Sequence, residues 1–396
     1  MPRVLVTYGW CRTAYLATRS LAASGHEVYS CSHLVPSMTA FSRFCISSEK
    51  VSDPFAAPEL FAREVATLVE KWDINVVIPV HEDALVLREA ERMLPQTTKL
   101  ACPVLESLRI GLDKARITQL AEKIGVPVPD SRFPKSVEEA LDLAMVVGFP
   151  LVVKIAHSNS AKGVAVAKSL DELSKVLTER FAGATQASDD SFPYIQAFHE
   201  GSVVGGCFMA RRGIIDGYFG ERYLRTKSDG FGTSIFREPY ESSVLYAHIC
   251  KLVSALEWDG IGHFDFIENP NTGELVLLEM NPRLWGAINL AYVNGYDFVG
   301  AAVAHALGQQ DLTEFFQPYP GQPLRSMWLI GEGIRWMQLL ATGQFVNGIK
   351  APVEVLGSLR KTRFDDCIWR DPMPLLAEAL CYVRGFLASG GDFNPG

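Results

Sequence analysis

A chain of 396 residues, 48% apolar and 21% charged, is too long for one ordinary domain and has material for two or three cores. Its formal charge of −8 excludes the broad basic surface of an obligatory nucleic-acid binder, yet leaves room for a local cationic pocket that holds a nucleotide. The eight cysteines contain no CxxC pair, no apolar run reaches the length of a membrane span, and the amino terminus enters a strand without an apolar signal core; free thiols and a cytoplasmic location are expected, with neither membrane nor nucleic acid as partner.

Residues 1–100 alternate strands and helices. Val4–Thr7 reads as a strand, Thr13–Ala23 as a helix ending at Gly25, and His26–Ser30 as the next strand. That βαβ unit predicts an open parallel α/β sheet. The turn Tyr8–Arg12 carries one glycine and lacks GxGxxG, which argues against a dinucleotide site. Phe61–Lys71 has helical spacing, and Ile74–Val80 is a buried strand. His81, Glu82 and Asp83 follow at its carboxyl end, where open sheets gather ligand contacts; acidic capping of a helix explains the trio equally well.

Asp113–Ile124 reads as a helix stopped by Gly125 and Pro127, with Lys114 and Arg116 in its first turn, a location that disfavours cations unless an anion attracts them. Ser136–Val147 is a second helix, with Ser136 and Glu139 spaced as a capping box and Gly148 closing it. In the apolar strand Phe149–Ile155, Lys154 must point outward or meet an anion, because an unpaired buried ammonium is costly. The small-residue loop His157–Gly163, with Ser158, Lys162 and Gly163, joins it to Val164–Ala167 and is suited to folding over phosphates, although many hairpins share its composition. Phe192–Phe198, Val203–Met209 and Ile214–Phe219 continue as strands; the polar run Glu221–Lys227 and a mobile loop around Gly230–Ser234 come next, then Ile235–Glu238 and the amphipathic helix Tyr246–Trp258.

Gly262–Ile267 and Gly273–Arg283 form a hairpin around the turn-rich Glu268–Gly273. Alternation places Glu279, Asn281 and Arg283 on one face, and Asp265 on the partner strand comes alongside. Two carboxylates and an amide oxygen are hard ligands suited to Mg²⁺, with an arginine beside them for an anion. The wet face of an ordinary antiparallel sheet would show the same alternation.

This order of features, with Leu278–Arg283 followed by Trp285 and Gly286, resembles the ATP-grasp superfamily over about residues 1–310, nearest the ligases built like biotin carboxylase and the halves of carbamoyl-phosphate synthetase. The resemblance implies a parallel α/β pre-ATP-grasp domain (1–100), a linker helix and small lobe with the phosphate loop (101–193), a large antiparallel lobe with the metal site (194–312) and a C-terminal extension that covers the site or forms a homodimer (313–396). It also implies that Asp265, Glu279 and Asn281 bind Mg²⁺, or Mn²⁺ in its place. Lys114, Lys154, Ser158, Lys162 and Gly163 would hold the ATP phosphates, Gln196 and Phe198 the adenine, and Glu200 the ribose, while Arg283, with Glu82 and Arg237, would face the substrate. Ala197 stands where an acidic residue is common, and the loop is less glycine-rich than usual. The implied reaction activates a small-molecule carboxylate, of an amino acid or related acid, as an acyl-phosphate and couples it to an amine, releasing ADP and phosphate; the loops 158–163 and 229–234 are the candidate lids. A carboxylase, a thiol ligase or a non-catalytic nucleotide-binding protein would share the same ATP apparatus.

Overall fold

The computed structural model describes residues 1–156, 163–185, 192–228 and 231–389. Three sheets organise them. The first contains β1 (Arg3–Val6), β2 (Glu27–Ser32), β3 (Ser47–Lys50), β4 (Val76–Ile78) and β5 (Lys99–Leu100), all parallel, in the order β3-β2-β1-β4-β5. Its central strands are apolar on both faces because both are covered: helix Arg12–Ala23 packs on the side of Val4 and Val6, and helix Pro58–Trp72 on the side of Leu5 and Val77.

The second sheet is small and antiparallel, β6 (Ser131–Arg132), β7 (Leu151–Lys154), β8 (Val164–Ala167) and β9 (Tyr194–Ala197), in the order β6-β9-β7-β8. Helix Val137–Val147 lays Ala140 and Ala144 on Leu151, Val153 and Ile195. Its start is set as the capping box predicts, Ser136 Oγ accepting the Glu139 N–H at 3.1 Å, and its end by Gly148 at φ +85°.

The third sheet carries the site. It contains β10 (Ser202–Arg211), β11 (Ile214–Ser228), β12 (Phe231–Pro239), β13 (Gly260–Glu268), β14 (Leu275–Asn281), β15 (Arg325–Met327) and β16 (Thr362–Phe364), in the order β14-β13-β10-β11-β12-β15-β16. Alternation divides its faces. Phe208, Phe264 and Phe266 face helix Ser243–Ala255, whereas Cys207, Met209 and Ile261 face the first sheet's helix Arg12–Ala23 and helix Phe298–Ala306.

One sequence expectation is corrected. The mobile loop expected over 230–234 is not one beyond 230: residues 231–234 belong to β12, where Thr226 pairs with Ser234 and Ser234 is buried, because the long β11–β12 ladder absorbs the polar run. β15 pairs with β12 and β16 with β15, so residues 325–364 complete the edge of the large-lobe sheet.

Asp83 is fully buried at the carboxyl end of β4, where it accepts hydrogen bonds from the Thr7 hydroxyl and, at 2.8 Å, from the His81 N–H. Burial nevertheless pushes its carboxyl up to about 6. A raised folded-state value means that stability is fully present below the unfolded value and is lost as pH rises through about 6. Asp83→Asn should therefore gain stability relative to the native chain between pH 4 and 7, by on the order of 3 kcal/mol, in denaturant titrations at each pH; a constant difference would contradict the assignment.

Candidate active site

The pairing registers place the functional side chains in two adjacent rows across the third sheet. One row runs Glu221, Gly205, Asp265, Glu279, and the next Phe219, Cys207, His263, Asn281. A bulge between Asp265 and Phe266 brings Asp265 opposite Glu279. The carboxylates and the amide expected to share a face do so: Asn281 Nδ2 donates to Asp265 Oδ2 at 3.1 Å. Asp265 is 8% exposed, its Oδ1 is buried without a hydrogen-bond partner, and burial together with the Glu279 charge pushes it up to about 6. An oxygen left without a donor among hard oxygen groups is what a Mg²⁺ ligand set requires, so Asp265, Glu279 and the Asn281 side-chain oxygen fit that ion.

The counter-charges come from the other lobe. Helix Lys114–Lys123 begins at Asp113, whose side chain accepts the N–H groups of Ala115 and Arg116, each at 3.0 Å. This cap compensates the cation at the helix start, and Lys114 reaches across to Glu279 Oε2 at 3.2 Å. Lys154, the last residue of β7, donates to the Leu278 carbonyl at 3.4 Å. Burial and the Lys114 charge bring Lys154 down to about 8, against the pull of Glu279. Burial raises Glu279, but Lys114, Lys154 and Arg283 together hold it below the usual carboxylate range.

Arg283 follows β14 and lies 3.5 Å from Glu82 in the first domain, which brings these two expected substrate contacts together. The sequence reading missed what surrounds them. Tyr8, in the left-handed region at φ +56°, stacks on the His81 ring at a centroid distance of 4.8 Å, with His33 at 4.9 Å and Phe55 at 6.2 Å. Burial and Arg283 hold the His81 imidazole well below its ordinary value, hence neutral. These residues come from the carboxyl ends of different parallel strands; their only sequence signal was the polar trio after β4.

Other expected residues lie elsewhere. Gln196 is buried in the small lobe and donates to Ser131 Oγ at 2.9 Å; Phe198 gives its N–H to the Pro150 carbonyl at 3.3 Å, and Glu200 is exposed in the turn beyond. Gly163 accepts the Ile155 N–H at 3.0 Å at the foot of the phosphate loop, while Ser158 and Lys162 fall outside the described residues, as do most of the proposed 158–163 lid and 229–230 of the second. Arg237, expected to face substrate, is fully buried: its guanidinium is committed to Asp365, Ser234 and Ser326, because β16 and the segment after it cover that edge of the sheet.

Residues 113–203 match the family model described as the carbamoyl-phosphate synthase L chain, ATP binding domain. The carbamoyl phosphate synthase large chain of Pyrococcus furiosus is 25% identical over 215 residues, 52% of this chain and 20% of that protein. That of Methanothermobacter thermautotrophicus is 25% identical over 272 residues, 63% of this chain and 25% of that protein. The chain thus spans only a fifth to a quarter of these relatives. Among solved structures, biotin carboxylase from Campylobacter jejuni superposes with a TM-score of 0.66 at 17% identity, covering 81% of this chain and 72% of that one. The biotin carboxylase domain dimer of the Hydrogenobacter thermophilus 2-oxoglutarate carboxylase, in complex with MgADP, ADP and bicarbonate, gives 0.64 at 16% identity over 78% and 70% of the two chains. The protein has the ATP-grasp fold, as the sequence resemblance implied.

The Arg283–Glu82 pair yields a stability prediction, since the two side chains are only 16% and 12% exposed. Removing one partner strands a charge that burial already disfavours. Arg283→Met should lower unfolding stability by up to about 3 kcal/mol, and adding Glu82→Gln should restore part of that loss in chemical denaturation.

Proposed function

We propose that this protein is an ATP-dependent ligase that activates a small-molecule carboxylate, of an amino acid or related acid, as an acyl-phosphate and couples it to an amine. The observation that carries this reading is the meeting of Lys114 and Lys154, from the linker helix and the small lobe, with Glu279 of the large lobe, beside Asp265 and Asn281. Three segments distant in sequence supply two ammonium groups and a hard-oxygen set at one place, which suits the polyphosphate of ATP. The same fold and its ATP-binding relatives support it.

The residues act by position and charge. Lys114 and Lys154 hold phosphate oxygens and spread negative charge as the carboxylate oxygen bonds to the γ-phosphorus and the bond from that phosphorus to ADP breaks. Mg²⁺, or Mn²⁺, when held by Asp265, Glu279 and Asn281, supplies further neutralisation of the phosphate oxygens. Arg283 orients the substrate carboxylate and then the acyl-phosphate. The amine nitrogen attacks the carbonyl carbon, the carbon–oxygen bond to phosphate breaks, and the amine gives up a proton. Glu82, held beside Arg283, would meet the substrate's polar groups.

A matrix of carboxylic acids and amines, screened for ADP and phosphate release with mass spectrometry of products, tests the reaction class; amine-independent ADP release with bicarbonate would point instead to carboxylation. Glu279→Ala should abolish Mg²⁺-dependent turnover while the chain stays folded, and activity within about tenfold of the native chain would remove Glu279 from the metal site. Arg283→Ala should reduce turnover far more than ATP affinity, measured by calorimetry; unchanged affinity for the carboxylate substrate would overturn its role.

A further inference from the structure

We infer that the cavity between helix Arg12–Ala23 and the segment 362–369 is a second small-molecule site, for an organic carboxylate on a flat apolar body, with Arg19 as its anchor. The cavity encloses about 320 Å³ and shares no lining residue with the candidate active site. Ligand pockets span roughly 300–1,000 Å³ and combine apolar walls with a few convergent polar groups, which is the make-up found here.

Arg12, Tyr15 and Arg19 stand at i, i+3 and i+7 and so share the helix face turned to the carboxyl-terminal segment. Tyr15 donates its hydroxyl to the Asp371 carbonyl at 3.2 Å, and Arg12 lies 3.9 Å from Asp365. Arg19 is as buried as Arg12, at 9% exposed against 8%, yet among the described residues it has no carboxylate within 4.0 Å. Its guanidinium makes one hydrogen bond, from Nη2 to Asn289 Oδ1 at 3.1 Å; its Nε is buried without a partner, and the group lies over the Tyr15 ring at 4.7 Å. Asn289 brings no charge. Its Nδ2 donates to Asp365 at 3.0 Å, and Asp365 already faces Arg237 at 2.5 Å. Other acids of the surroundings are committed too: Asp366 to the N–H groups of Leu329 and Ile330, Asp371 to Ser42 and the Arg43 N–H, and Asp297 to Ser20 and the Gly300 N–H. A guanidinium does not shed its proton at any working pH, so burying it without a counter-charge is costly until an anion arrives.

The walls say what carries that anion. They include Tyr292, Phe364, Ile368 and Trp369, the last 97% exposed, an indole left in water that a flat ligand would cover. With only Nη2 engaged, Arg19 keeps donors for a carboxylate, a charge-assisted contact that is strong when desolvated. One buried cation balances a single negative charge, which selects a carboxylate over a doubly charged phosphate. Arg363 also lines the cavity, but it is exposed and therefore screened, so it draws anions in more than it holds them.

Calorimetry on the full chain without nucleotide tests the site, with benzoate, 1-naphthoate and hexanoate each set against its neutral primary amide, and inorganic phosphate alongside. 1-Naphthoate should bind about tenfold or more tighter than 1-naphthamide, and Arg19→Met should remove that difference. Hexanoate, which has no ring, should bind more weakly than 1-naphthoate, and Trp369→Ala, at an exposed position, should narrow that gap. A readout that needs no variant, should Arg19→Met fail to fold, is alkylation of the cavity-lining Cys367, followed by peptide mass spectrometry: 1-naphthoate should slow it and the amide at the same concentration should not. Acid and amide binding alike, Arg19→Met binding 1-naphthoate like the native chain, or no acid shielding Cys367 at millimolar concentration would overturn the site. Inorganic phosphate bound through Arg19, with none of the acids bound, would overturn the carboxylate assignment. A chain that sediments as a dimer and opens Cys367 to alkylation only on dilution would overturn it in favour of a second copy covering the cavity. None of these outcomes involves ATP or a metal, so failure here leaves the ligase reading standing.

Discussion

An ammonium group cannot be taken out of water without an anion to receive it, and much of the site follows from where Lys154 ends. It closes β7 with 7% of its surface exposed, facing Glu279 of another lobe. Lys114 adds a second cation at the same carboxylate. Glu279, between the two ammonium groups and opposite Asp265, keeps 35% of its side-chain surface. On the proposed function, it is at this exposed edge of the site that the phosphates of ATP would meet Lys114 and Lys154.

The large-lobe sheet makes that arrangement rigid. Its two functional rows exist only because strands β10, β11, β13 and β14 keep register, and a bulge is placed where Asp265 must come opposite Glu279. The opposite face is locked by Phe208, Phe264 and Phe266 under a helix, so a slip of one residue would bury the carboxylates in an apolar layer. The hydrophobic pattern that builds the core thus also fixes the polar face.

Local signals made part of this legible in the sequence. The βαβ start, the capping box at Ser136 and the alternation through Glu279 and Asn281 depend on near neighbours, and each is found in the fold, whereas Arg283 falls just beyond the strand. Lys114 and Lys154 stood out because their local settings were unfavourable for a cation, a conflict that only a distant anion resolves. Arg237 gave no such warning: its burial depends on Asp365, 128 residues away on a segment that reads as a tail. Nor did His263, whose neighbours Phe264 and Gly262 suggest an ordinary buried strand, while Glu221, 3.1 Å from it, opens a polar run. Residues whose meaning lies in cross-strand diagonals cannot be read before the strand order is known.

The same limit decides where substrate selectivity resides. On the proposed function, the phosphate-side residues would bind what ATP-dependent enzymes of this fold share, and they carry no information about the acid or the amine. Arg283 is the hinge between the two sides, since it follows the metal strand directly yet pairs with Glu82 of the first domain. Around that pair the first domain presents Tyr8, His33, Phe55 and His81, a set of flat rings with one carboxylate among them. Rings stack on planar groups and accept cations on their faces, and a carboxylate close by reinforces the second preference. On the proposed function, variation in the first domain would change what is ligated, while the sheet of the large lobe would keep how it is activated.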